Sequence, residues 1–472
     1  MNGGKTVLFS SISFLYLFLP VLLVYYAVPG KWRNHVLLVA SLFFYFVGEP
    51  IYVTLLIVSS LSDFFHSLYI EKHRGTAKAK RALISSIAIN LGMLAFFKYT
   101  DFLIGSVNGL LGTAIPLTGV ELPIGISFFT FQTMSYTIDV YRGEAKAERN
   151  LATMATFVCL FPQLVAGPIV RYVDVDRELH ERSVTLDSLY RGAVRFAVGL
   201  GKKVLIANAM GEFCAAFRAA DEQSVVFYWV YAAAYALQIY FDFSGYSDMA
   251  IGLGSLFGFD FPENFNYPFI SGTITEFWRR WHMTLGGWFR DYLYIPLGGN
   301  RVSRGRWIVN TAIVWAATGL WHGASWNFLL WGVYFGVLLV LEKLVWGGWL
   351  KKLNGFWRRV YTLPILLISF VIFNAVGEGQ LMADLKGMFG LNGLPAWSFE
   401  TGYFLRSYAI LLLAAVIGAT PLPKKVWQRI AASRAGGYVS LVAEPLFVLL
   451  MLLIGTAYLV DGSFNPFLYF RF

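Results

Sequence analysis

The sequence predicts an all-α polytopic integral membrane protein, and three observations carry that prediction. The 472 residues are 57% hydrophobic and only 14% charged, with 18% aromatics and a mean hydropathy of +0.58. A soluble domain carries roughly 25% charged residues. Apolar runs recur along the whole chain at lengths close to the ~20 residues a helix needs to cross a bilayer. Lys and Arg gather in short stretches between those runs, the pattern that orients membrane proteins. The same pattern accounts for the net charge of +10 and leaves no need for a nucleic-acid partner.

Taken in order, the first apolar run extends from Val7 to Val28. It lacks a basic n-region and a small-residue cleavage site, so it reads as a retained span, not a signal peptide. Further spans lie near 51–70, 83–104, 192–214, 225–246, 325–346, 360–376, 404–420 and 438–460. Shorter or interrupted candidates near 35–48, 123–140 and 307–321 suit tilted or broken helices. The loops 30–34, 71–81, 141–149, 351–359 and 424–434 are basic and are assigned to the cytoplasm. Threading the chain by that rule gives one membrane domain over 1–460 with about eleven or twelve crossings and both termini extracytoplasmic. Residues 151–170 must then return to the side they left. Their run FPQLVAGP (161–168), with two prolines and a glycine, suits a re-entrant or broken element buried in protein.

Between about 262 and 306 the composition changes, and aromatics alternate with Arg279, Arg280, Arg290, Arg301, Arg304 and Arg306. Short helices in the cytoplasmic interface are expected there, with rings at headgroup depth and guanidinium groups toward phosphates. Two readings stand for the arginines. They anchor the chain to anionic lipid, or Arg279, Arg280, Arg290 and Arg301 dock a phosphate-rich cofactor such as the nucleotide end of coenzyme A. No P-loop or GxGxxG accompanies them, which removes support for an ATPase or a Rossmann enzyme.

Cys159 and Cys214 lie in apolar segments without metal or disulfide spacing. Of six histidines, His35, His73 and His180 fall in polar or loop contexts, and His66 follows Asp63 in an apolar run. His282 and His322 remain, 322 − 282 = 40 residues apart and outside any HExxH or Cys-rich array, so no metal is expected. No GxSxG elbow is present either. His322 sits in GLWHGASWN (319–327), clamped between tryptophans in an apolar region. An ionisable group at membrane depth is a functional-site hypothesis by default; the alternative is a neutral histidine bonded to a neighbouring helix. A neutral imidazole in a dry site suits acyl transfer, because it can take the proton of an attacking hydroxyl. Gly319, Gly323, Ala324 and Ser325 would let substrate approach the backbone, Trp321 and Trp326 would exclude water, and Asn327 would offer an amide to an oxyanion or to the imidazole.

The stretches LPIGISFFTFQTMSYTIDVYRG (122–143), FPQLVAGPIVRY (161–172), FDFSGYSDMAIGLGSLFGFDFPENFNYPF (241–269), TEFWRRWHMTLGGWFRDYLYIPLGGNR (275–301) and GLWHGASWNFLLWG (319–332) make the sequence resemble the membrane-bound O-acyltransferase family, in its bacterial alginate O-acetyltransferase-like branch. The resemblance implies a ring of tilted helices, with re-entrant and interfacial helices, around a central tunnel. It implies that His322 is catalytic and that His282, of the RRWH stretch, serves the donor side. The implied donor is acetyl-CoA, used as a substrate with no bound cofactor, in the plasma (inner) membrane of a bacterium. The expected activity is O-acetylation of a cell-envelope or secreted polysaccharide. Transfer of D-alanyl or another acyl group to teichoic acid, lipid or protein by the same fold is the alternative. A membrane transporter is a third reading, but the chain has no internal repeat of the transporter kind.

The chain ends in NPFLYFRF, and Phe467, Tyr469 and Phe472 spell F-x-Y-x-x-F in the 461–472 tail. That ending resembles small membrane peptides that accompany D-alanylating relatives, which implies that Tyr469 carries the acyl group. The alternative is an aromatic interfacial anchor. A phenol with pKa ~10 is a better leaving group than a sugar hydroxyl, so an acetyl-tyrosine keeps much of the thioester's transfer potential. Nine residues (469 − 460) separate Val460 from Tyr469, an extended reach of about 30 Å. The chain contains no hydrolase-like domain. The expected partners are therefore an extracytoplasmic serine-hydrolase-like acetyltransferase, the polysaccharide acceptor and membrane lipids.

Overall fold

The computed structural model describes residues 9–461 and Leu468, and the described residues contain helices and no strand. Two compact units emerge: Met1–Phe196 with Ser247–Pro262, and Ala197–Tyr246 with Glu263–Phe472.

The first unit begins with α1 (Ile12–Ala27), α2 (Arg33–Gly48), α3 (Val53–Lys72), α4 (Ala77–Leu111), α5 (Ile126–Arg142) and α6 (Leu151–Cys159). Thr76 caps α4 through its side chain, and Gly112 ends it at φ +66°, a left-handed conformation that glycine adopts without strain. A polar seam ties α3, α4 and α5 together. The buried Asp63 carboxylate accepts from Ser86 Oγ at 2.6 Å and Asn90 Nδ2 at 2.8 Å, while Asn90 Oδ1 accepts from Thr133 Oγ1 at 3.0 Å. A carboxylate inside a membrane bundle is tolerable only when its oxygens are satisfied in this way. After α6 the chain breaks at Leu160, makes one turn over Phe161–Leu164, and runs non-helically to Arg171. Phe157, Val158, Leu160, Phe161, Leu164, Ile169 and Val170 are all buried. Irregular backbone in a membrane protein is stable where protein covers it.

In the second unit, the helices Arg304–His322 and Trp326–Leu341 form a tight hairpin. A Cβ on Gly319 would lie 2.3 Å from the Phe328 carbonyl oxygen, and one on Gly332 would lie 2.3 Å from that of Trp315. Close backbone approach through small residues replaces the hydrophobic driving force that lipid cannot supply. Gly319 and Gly323 therefore serve helix and ring packing: a Cβ on Gly323 would meet the Phe328 ring at 2.2 Å. Lys203 and Asp242 form a fully buried ion pair at 2.7 Å.

Among the described residues, five helices are long and apolar enough to cross a membrane: Val53–Lys72, Ala77–Leu111, Trp326–Lys352, Gly355–Asn374 and Gly436–Val460. The bent pair Phe399–Ser407 and Ala409–Gly418, at 61°, would make six. The expected span 225–246 lies within the Val225–Leu256 helix. The Val225–Leu256 helix carries Tyr228, Tyr231, Tyr235, Gln238, Tyr240 and Asp242, all buried. A helix lined by protein on most sides takes polar residues that a lipid-facing span excludes.

Candidate active site

The structure brings His282 and His322 together. Their ring centroids lie 6.5 Å apart although the residues are 40 positions apart in the chain. Both are buried, at 1% and 4% exposure. His322 is the last residue of the Arg304–His322 helix. Its ring is enclosed by Trp331 at 5.0 Å, Trp321 at 5.1 Å and Phe373 at 5.5 Å between centroids. His282 lies against Phe243 at 4.7 Å and Trp321 at 5.8 Å. Such walls exclude water, which strengthens every electrostatic interaction within them.

His282 is held in an uncommon backbone conformation. It has φ +43°, and Tyr267 nearby has φ +47°; they are the only non-glycine residues with positive φ among those described. A side-chain-bearing residue pays roughly 1–2 kcal/mol there, and such strain persists only where the surroundings fix it. Asn264 does the fixing. Its Oδ1 lies 3.0 Å from His282 Nδ1 and accepts from Thr284 Oγ1 at 2.9 Å, while its backbone carbonyl accepts from Met283 N at 2.9 Å. The Asn266 N–H closes the turn by donating to the Arg280 carbonyl at 2.9 Å. Because Oδ1 can only accept, Nδ1 carries the proton, and in the neutral ring Nε2 is the basic nitrogen.

Other residues sit differently from expectation. Trp321 is buried beside both histidines, whereas Trp326 is 56% exposed. Trp331 is buried against His322. The Asn327 amide donates to the carbonyls of Phe373 at 3.0 Å and Ile372 at 3.4 Å. It thus pins the end of the Gly355–Asn374 helix and carries Phe373 to His322. The 262–306 stretch does form short helices, Ile274–Trp278 and Met283–Phe289. Of its rings, Phe277, Trp281, Trp288 and Phe289 are buried, and the segment carries His282 into the protein, while Trp278, Tyr292 and Tyr294 are half-buried. Arg280 pairs with Glu276 at 3.0 Å and Arg290 with Asp291 at 2.7 Å, so both have local carboxylates. Arg279 and Arg301 are exposed, without an ion pair among the described residues. No group of three or more His, Cys, Asp or Glu able to hold a metal occurs among the described residues.

Tyr469 lies outside the described residues, but its neighbour Leu468 does not. Leu468 is buried at 4% and belongs to the hydrophobic cluster that also contains Trp331 and Phe373. Its backbone N–H donates to Asp242 Oδ2 at 2.9 Å. Lys203 neutralises that carboxylate and is itself bonded to Asn208 Oδ1 at 3.0 Å. None of Asn264, Asp242, Lys203 or Trp331 was singled out as a site residue from the sequence.

A model of the membrane-bound O-acyltransferase family matches residues 117–376 of this chain, a range that includes both histidines. The chain belongs to that family. Relatives extend the match to its full length. A "probable alginate O-acetylase" of Azotobacter vinelandii is 37% identical, over 99% of this chain and 100% of that protein. The peptidoglycan O-acetyltransferase of Helicobacter pylori is 32% identical, over 99% of this chain and 98% of that protein. The teichoic acid D-alanyltransferase of Bacillus subtilis is 30% identical, over 52% of this chain and 65% of that protein. This member of the family is accordingly an all-α membrane protein and an O-acyltransferase.

Proposed function

We propose that the protein moves acetyl groups from acetyl-CoA on the cytoplasmic side to an extracytoplasmic acceptor, for O-acetylation of a cell-envelope or secreted polysaccharide in a bacterial inner membrane. The observation that carries the reading is the pairing of His282 and His322 at 6.5 Å inside one aromatic enclosure. Acetyl is preferred to D-alanyl because the relatives named for O-acetyl transfer align over 99% of the chain, against 52% for the D-alanyl relative.

His322 acts as the base. The acceptor hydroxyl gives its proton to the imidazole while its oxygen attacks the thioester carbonyl. The carbon–sulfur bond then breaks, and the same proton passes to the departing thiolate. His282, with Nδ1 bound to Asn264, presents a fixed Nε2 toward the donor side. Arg279 and Arg301 are the cations available for the donor's phosphates, since Arg280 and Arg290 are paired. Tyr469 is the first acceptor, and burial of Leu468 beside Asp242 supports a tail that enters the protein interior. The resulting aryl ester passes its acetyl to a serine enzyme outside, and that partner acetylates the polymer. Both chain termini lie on that outer side.

Incubation of purified protein with radiolabelled acetyl-CoA, followed by peptide mapping, tests the reading. Label on Tyr469 that disappears in His322→Ala is the expected result. Thiol release without a labelled tail would overturn the carrier step, and no thiol release would overturn the donor.

A further inference from the structure

The α3–α4 hairpin of the first unit carries a groove that the acyltransfer chemistry does not use. Its volume is about 540 Å³, and it is lined by Phe65, His66 and Tyr69 from α3 with Lys78, Arg81, Ala82 and Ser85 from α4. The spacings 65, 66, 69 and 78, 81, 82, 85 each mark one face of a helix, so two facing stripes make the groove. Both helices are apolar enough to span a membrane. With both helices in a bilayer, a groove on their flank would open toward lipid.

The groove is graded along its length. Lys78 and Arg81 stand in the first turns of α4, where the chain has just turned through the basic run 71–81. Neither cation has an ion-pair partner among the described residues, and the nearby Glu71 is taken up by Arg149 and the Ala147 amide. Ser85 lies seven residues (85 − 78) beyond Lys78, about 10 Å deeper at 1.5 Å per residue. There His66 Nε2 meets Ser85 Oγ at 3.2 Å, and His66 Nδ1 faces the Ser62 carbonyl at 2.7 Å. Alongside that pair, Phe65 is 62% exposed, and Ile84 beside the groove is 55% exposed. The groove therefore passes from a cationic mouth to a deeper level where a weakly polar pair and exposed apolar side chains lie side by side, over roughly the depth of one lipid headgroup and glycerol.

We propose that this groove is a binding site for an anionic glycerophospholipid. Lys78 and Arg81 hold the phosphodiester, the Ser85 hydroxyl reaches the ester region, and an acyl chain descends along Phe65. Basic pockets between membrane helices select anionic headgroups by this charge complementarity. A free phosphate or the phosphates of a soluble nucleotide would use the same cations but leave the apolar half of the groove uncovered.

The test is native mass spectrometry of the full-length protein in mixed micelles of phosphatidylglycerol and chain-matched phosphatidylcholine. The wild type is expected to retain one phosphatidylglycerol in preference to phosphatidylcholine. Lys78→Gln with Arg81→Gln should lower that retention about 30-fold, from two near-surface cations. Both positions are exposed, so folding is not at stake. The control pair Lys424→Gln and Lys425→Gln removes equal charge from another basic loop and should leave retention unchanged. Equal retention of the two lipids, an equal loss in the control pair, or displacement of the lipid by excess inorganic phosphate would each overturn the proposal.

Discussion

Asparagine and leucine at position 242, each in a Lys203→Met background, isolate a single hydrogen bond to the C-terminal tail. In the wild type Asp242 accepts from the Leu468 N–H at 2.9 Å and pairs with Lys203 at 2.7 Å. Removing Asp242 alone would strand a buried ammonium, at a cost of about 3–5 kcal/mol that has nothing to do with the tail. Replacing both charges with uncharged side chains of similar size avoids that cost. Within the uncharged background, asparagine retains an oxygen for Leu468 and leucine does not. A neutral hydrogen bond contributes about 1 kcal/mol, a factor of about 5 in the docked-to-free ratio of the tail. Carboxypeptidase digestion reads that ratio: trimming past Leu468 requires the tail to leave its site. Mass spectrometry should show trimming about 5-fold faster in Lys203→Met/Asp242→Leu than in Lys203→Met/Asp242→Asn, with equal elution of the two proteins from a sizing column. Equal trimming rates would show that Leu468 is not held through position 242.

His322→Ala should cut thiol release from acetyl-CoA by roughly 10²–10⁴ while leaving expression and elution unchanged; turnover near the wild-type rate would remove His322 from the chemistry. Tyr469→Phe keeps the ring and loses only the nucleophile, so polymer acetylation should stop at normal protein levels; undiminished acetylation would leave the tail an anchor. Because His282 sits at φ +43°, His282→Gly should be more stable than His282→Ala by about 1 kcal/mol in thermal unfolding, though both lose activity; the reverse order would deny the strain. Charge reversal at Arg279 and Arg301 should raise the apparent KM for acetyl-CoA with little change in kcat, whereas reversal at Arg290, paired with Asp291, should not; equal effects at all three would point to general surface potential.

The two histidines that the fold brings together were legible because ionisable groups in an apolar chain are conspicuous. A histidine flanked by aromatics in an apolar stretch stands out, and so does one in an arginine-rich segment that lacks phosphate-binding loops. What the sequence hides is which residues hold those two. Asn264 reaches His282 across 18 residues, through a turn whose left-handed residues, Tyr267 and His282, are not glycines. No local rule anticipates it. Trp326 and Trp331 look equivalent in sequence, but five helical residues rotate the side chain by roughly 140°, which sends one outward and the other onto His322. Hydropathy marks a helix as buried without saying whether lipid or protein buries it, and the tyrosines of Val225–Leu256 are the sign of protein.

Asp242 and Phe243 are consecutive residues of one helix. The first accepts from the Leu468 N–H, and the second forms the edge-on wall of His282 at 4.7 Å, with the rings at 86°. Because both side chains leave the same helix at adjacent positions, release of Leu468 from Asp242 is expected to alter the ring environment of His282. The imidazole resonances of that histidine thus become a gauge of tail occupancy. Titrating in acetyl-CoA while watching them would report, turnover by turnover, whether loading and release of the tail are timed to the state of the donor pocket.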